Sequence, residues 1–217
     1  MKFEETTFLF RVVVLAGGLN LEHKLMTHKD IETLFLRLAR LVHASQEKAG
    51  TGTAWDYSFP NGETHRYIFR NIRSHIEIED CVSNLLIWIW NTKDYLKLRL
   101  EAKVLDPKLV EQFINNDSNL LVCRDLAIQL KHGKADLSRS GKFPRLGEVS
   151  FSAPQSAIST FTFKAFEVDI DIGNPNEIEY RIPILDKDGN EFGEAFELIT
   201  SSISGLEKLR DDIEGIK

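Results

Sequence analysis

The chain has 217 residues, of which 42% are apolar and 28% charged, with a formal net charge of −6. That balance supports a packed core and excludes wholesale disorder, while the acidic total excludes an overall basic nucleic-acid footprint. The charge is uneven: residues 166–217 hold 14 acids against 5 lysines and arginines, which leaves the first three-quarters with 19 acids and 22 bases and room for a local basic patch.

In chain order, residues 7–16 are apolar and β-branched (Phe8, Leu9, Phe10, Val12, Val13, Val14, Leu15) and read as a buried strand or a short core helix. The preceding Lys2-Phe3-Glu4-Glu5 places acids where a secretory leader needs a basic stretch, so a cytoplasmic location is expected. Residues 27–48 predict a helix, with Thr27 as cap, Asp30 in the first turn, and Ile31, Leu34, Phe35, Leu38 and Leu41 on one face. A loop is expected from Gly50 to Thr64, with Pro60-Asn61-Gly62 as its turn.

The next expectation is a long helix over 66–103. Its centre, Leu85-Leu86-Ile87-Trp88-Ile89-Trp90, is apolar on every face, which suits the middle of a bundle or a subunit contact. That run is far short of the roughly 20 residues needed to cross a bilayer. Asp106-Pro107 and Asp117-Ser118 start two further helices, the second stopped by Gly133. Cys81 and Cys123 are expected as free buried thiols.

From Gly133 to Pro154 the chain is poor in apolar residues and rich in Gly, Ser, Lys and Arg, which suits a hinge. Beyond it the period falls to two. Phe161 and Phe163 alternate in one phase, and Phe166, Val168, Ile170 and Ile172 in the other, so a bulge or a strand break is expected near Ala165. Tyr180, Ile182 and Ile184 predict another strand, at an edge because of Pro183, and Asp188-Gly189 a hairpin turn. The chain closes with an amphipathic helix through Phe196, Ile199, Ile203, Leu206 and Leu209. The fold class is therefore α+β. A helical bundle is expected over residues 1–133, a basic loop over 134–154, and a small antiparallel sheet with a covering helix over 155–217.

The run Arg70-Asn71-Ile72-Arg73-Ser74-His75 resembles the signature of HEPN-domain proteins: an arginine, a polar residue, then three residues and a histidine. Those proteins are helical bundles, and many are metal-independent ribonucleases whose active site forms across a dimer. The resemblance implies that Arg70 stabilises charge on a phosphate, that His75 acts as general acid or base, and that Asn71 orients them. Arginine forks and near-neutral imidazoles suit those roles. Residues five apart on a helix nevertheless diverge by about 140°, so the pair converges only at a frayed helix start or across a homodimer.

Arg124 and His132, eight apart and about 80° from one another on a helix, form a second candidate pair. The Lys131-His132-Gly133 helix end and the following Ser138-Arg139-Ser140-Gly141 also resemble a group of uncharacterised bacterial proteins, which brings no activity with it. Lys131, Lys134, Arg139, Lys142 and Arg145, opposed only by Asp136, could grip an RNA backbone. The same residues also admit plainer readings. Arg66, Arg70 and Arg73 match one solvated helical stripe, and Lys131 and His132 complement a helix C-terminus. No metal-ligand spacing and no cofactor motif is evident. The sequence thus leaves two functions open: a HEPN-like protein that cleaves or binds RNA, or a non-catalytic module that meets a protein partner.

Overall fold

The computed structural model describes residues 27–134 and 136–216 and has an α+β architecture. Residues 7–16, read above as strand or helix, lie outside the described residues.

Helix α1 (His28–Gln46) starts at a capping box in which Thr27 and Asp30 satisfy each other's backbone N–H groups. The central helix is α2 (His75–Ala102), with Val82, Leu85, Leu86, Ile89, Leu96 and Leu100 fully buried. It packs against α1, against α3 (Lys108–Asn116) and α4 (Ser118–His132), and against the last helix, α5 (Ala195–Gly215). The apolar centre of α2 is thus the axis of a helical bundle. Asp117 caps α4 by accepting from the Asn119 and Leu120 N–H groups, and Gly133 ends it in the left-handed conformation.

The helix expected over 66–103 is corrected at its start. Residues 66–70 belong to strand β2 (Thr64–Arg70), which forms an antiparallel hairpin with β1 (Thr53–Ser58) inside the stretch read as a loop. Two local features separate strand from helix. Asn71 takes a left-handed φ of 66°, and Ser74 opens α2 with a second capping box closed by Glu77.

The main sheet runs β1-β2-β6-β5, where β5 is Ile158–Lys164 and β6 is Glu167–Ile172. The phase slip expected near Ala165 is the tight turn between β5 and β6, with Ala165 at φ 49°. The sheet is mixed rather than purely antiparallel, because β2 and β6 pair in parallel. It therefore joins strands from both sides of the basic loop.

That loop carries two short strands, β3 (Arg145–Leu146) and β4 (Ser150–Ser152). The strand expected through Tyr180 and Ile184 divides in two. β7 (Glu179–Arg181) pairs with β4, while β8 (Pro183–Leu185) lies between β3 and β9 (Glu191–Glu194). Pro183 is tolerated in that middle strand because it is the first residue of β8. Among the described residues, no helix is long and apolar enough to cross a membrane.

Candidate functional site

Directly paired residues project to the same side of a sheet, so the register sorts the main sheet into two faces. One face is charged, through the rows Asp56, Arg66, Glu167, Lys164 and Arg70, Asp171. The other carries Trp55, Tyr67, Val168 and Phe163 in one row and Thr53, Phe69, Ile170 and Phe161 in the next.

On this second face the middle is covered and the margins are open. Ile170 and Ile172 are buried in a small core with Ile72, Ala157 and Ile178, packed against Phe151 and Tyr180. Trp55 remains 42% exposed and Phe163 70%, with Tyr57, Phe161 and Phe166 also exposed. The rings form separate groups along the margins. Trp55 stacks on Tyr67 and Phe69 at 5.8 and 5.4 Å between centroids, and Phe161 meets Phe163 edge-on at 4.9 Å. Phe59 and Phe166 flank His65. Clusters of exposed aromatic residues mark interaction surfaces more often than single exposed apolar residues do.

A groove of about 620 Å³ opens beside Trp55. Thr53, Trp55, Phe69, Ile158 and Ile170 line it from the sheet, Phe151 and Ala153 from the β4 segment, and His75 and Glu148 supply its ionisable groups. Among the described residues, no lysine or arginine lines it.

Arg70 and His75 are held apart. Arg70 lies on the charged face, donating from Nε and Nη2 to the Asp169 carboxylate at 2.9 and 2.8 Å. These hydrogen bonds lower the pKa of Asp169 and raise that of Arg70. His75, the first residue of α2, sits on the aromatic side with Nδ1 3.4 Å from Thr53 Oγ1. The sheet separates the two. Asn71 Nδ2 donates to the Ile172 carbonyl at 3.3 Å. Arg73 ties the end of α1 to the start of α2 by donating to the Ala44 and Glu77 carbonyls, with Cys81 Sγ at 2.8 Å. Arg66, Arg70 and Arg73 thus form no common stripe. Cys81 is only partly buried, whereas Cys123 is buried, which pushes its thiol pKa up to about 12.

The second pair sits on α4. Arg124 Nη1 lies 2.5 Å from Asp125 Oδ1, with its guanidinium over the Trp90 ring at 5.9 Å. His132 is exposed at the helix end, and Lys131 donates to Asn91 at 2.6 Å.

The basic loop is organised around an internal anion. Asp125 is 1% exposed and accepts from Ser138 Oγ at 2.6 Å, Ser140 Oγ at 2.8 Å, Ser140 N at 2.9 Å and Arg139 N at 3.2 Å. Burial alone would raise its pKa, but the bonds from Ser138, Ser140 and Arg139 outweigh burial and hold it below the ordinary aspartate value. The backbone amides of Arg139 and Ser140 are thereby engaged by this chain's own carboxylate. The side chains are also engaged: Lys134 with Asp136, Arg139 with Glu111, and Lys142 over Phe192. Arg145 is exposed, its guanidinium beside Gly189.

No protein-family model, no curated protein and no solved structure matches this chain.

Proposed function

We propose that this protein is a non-catalytic interaction module whose open aromatic sheet face receives a protein partner. The observation that carries the reading is the exposure of Trp55, Tyr57, Phe161, Phe163 and Phe166 along the two margins of one side of one sheet. Rigid aromatic side chains are the most effective anchors of protein interfaces, because they bury much area at little entropic cost. Nucleic acid suits this face poorly, since stacking platforms act together with cations that track the phosphates, and no lysine or arginine among the described residues lines the groove. Against RNA cleavage by the Arg70 motif stands the separation of Arg70 and His75, one neutralised by Asp169 and the other across the sheet.

A second reading, RNA binding on the helical side, has its own observation. Arg124, Lys131 and His132 share α4, where Arg124 overlies Trp90 and Lys131 reaches Asn91, giving α2 and α4 a cationic, tryptophan-bearing flank. Two readouts on one mixture separate the readings: RNA retained with the protein on a filter would favour RNA binding, and RNA cut would favour a nuclease. Full-length protein incubated with a mixed RNA pool in excess EDTA is expected to leave the RNA intact. Cleavage lost in His75→Ala or His132→Ala but retained in Phe163→Ser would overturn the interaction reading in favour of a nuclease.

A further inference from the structure

Resting on the protein-interaction reading, we infer that the groove beside Trp55 takes an extended peptide added as a strand to the free edge of β1, apolar at alternate positions and carrying a lysine or arginine for Glu148.

Three observations converge on this occupant. First, β1 is an edge of the main sheet, and its outer side has no strand partner among the described residues. The Phe59 N–H donates to the Glu63 carbonyl at 2.8 Å, so that pair is hydrogen-bonded. Antiparallel pairs alternate, which makes Tyr57–His65, Trp55–Tyr67 and Thr53–Phe69 hydrogen-bonded as well. The N–H and C=O groups of Ala54, Asp56 and Ser58 are then the ones that face away from β2. Unpaired edge groups of this kind are templates for strand addition.

Second, the groove adjoins that edge. A strand laid along β1 projects alternate side chains onto the Trp55 face, about 6.8 Å apart. A side chain beside Thr53 and Trp55 enters the groove lined by Phe69, Phe151, Ile158 and Ile170. Its volume of about 620 Å³ accommodates a large apolar side chain with space to spare.

Third, charge selects the peptide. Glu148 is exposed on the rim, and no hydrogen bond or ion pair engages its carboxylate among the described residues. Asp56 on the same edge strand projects from the opposite, charged face across from Arg66, so the selection rests on Glu148. A basic residue on the peptide meets attraction here, whereas an acidic peptide meets repulsion.

The test pans a phage-displayed library of random 12-residue peptides on the full chain and titrates the winners, dye-labelled, by fluorescence anisotropy. Winners are expected to alternate large apolar residues and to include a lysine or arginine. Glu148→Gln is expected to weaken them about fivefold and to erase the preference for a basic residue. Two folding-checked variants probe the groove and the edge separately. Ala153→Trp fills the groove, and Asp56→Pro removes an outward N–H without touching the ladder; each is expected to weaken binding about tenfold or more.

The inference is overturned if no peptide is enriched, or if the winners bind both variants as tightly as wild type. A photo-crosslinker at Phe151 that joins residues 7–16 of the same molecule would also overturn it, because the groove would then be taken by this chain. If peptides fail while Phe163 still contacts a protein partner, only the strand-addition inference falls. If contact at Phe163 is lost too, the interaction reading falls with it.

Discussion

Replacing Asp125 with alanine is expected to cost about 3–5 kcal/mol of folding stability, because it removes the carboxylate from a buried network and leaves its donors unpaired. Ser138, Arg139 and Ser140 all donate to that carboxylate, so one side chain on α4 fixes the loop that leads to β3. For a chain of this size the loss corresponds to a melting temperature lower by about 6–20 °C. The pH dependence has a definite sign. The pKa of Asp125 is depressed in the folded state, so its contribution is fully present above the unfolded value of about 3.9 and disappears as pH falls through the lower folded value. Calorimetry of wild type and Asp125→Ala between pH 7 and pH 3 is expected to show a gap that narrows only at the acidic end. A gap of under 2 °C at pH 7 would show that the loop holds without its anchor.

The second large effect is expected at Gly52, which joins the bend after α1 to β1. Its φ is +103°, and a Cβ there would meet the Phe69 carbonyl oxygen at 2.3 Å while the Gly52 N–H donates to Ile72 at 2.7 Å. Neither the backbone conformation nor the space admits a side chain. Gly52→Ala is therefore expected to cost about 2–4 kcal/mol and to disturb Thr53 at the groove mouth. Gly62, in the β1–β2 turn, is the control. Its φ is +88° but a Cβ there meets nothing within 4 Å, so Gly62→Ala is expected to cost only about 1 kcal/mol. Denaturant titration of both variants checks the difference, and equal losses would mean that the clash with Phe69 is relieved at no cost.

The helices were legible where caps and period agreed. Thr27 with Asp30, Asp117, and Gly133 mark real boundaries, and the all-round apolar run of α2 does lie at the centre of the bundle. The aromatic face was missed because Tyr67-Ile68-Phe69 runs into Ile72 and Ile78, and the apolar residues on both sides of Asn71 can be fitted to a single helical period. Two signals could have separated them. Pro60-Asn61-Gly62 stands between the runs Trp55-Asp56-Tyr57 and Tyr67-Ile68-Phe69, which is a hairpin pattern, and Ser74-x-x-Glu77 is a capping box. The parallel pairing of β2 with β6 bridges about a hundred residues and leaves no local trace. The basic loop misled for a related reason. Its cations are visible in sequence, but the carboxylate that engages its amides comes from Asp125 in the preceding helix.

What gives the sheet face its functional meaning is contrast with the rest of the molecule. The charged face neutralises itself, with Arg70 held by Asp169, whereas the opposite face leaves phenylalanines in water. Such exposure carries a hydrophobic cost that a partner removes. The most direct measurement places a diazirine amino acid at position 163 of the full chain in its native cells, with position 36 on the helical side, also exposed at 61%, as control. Illumination is expected to yield a discrete protein adduct from position 163 and none from position 36. RNA adducts at position 163, or no adduct there at all, would contradict the account.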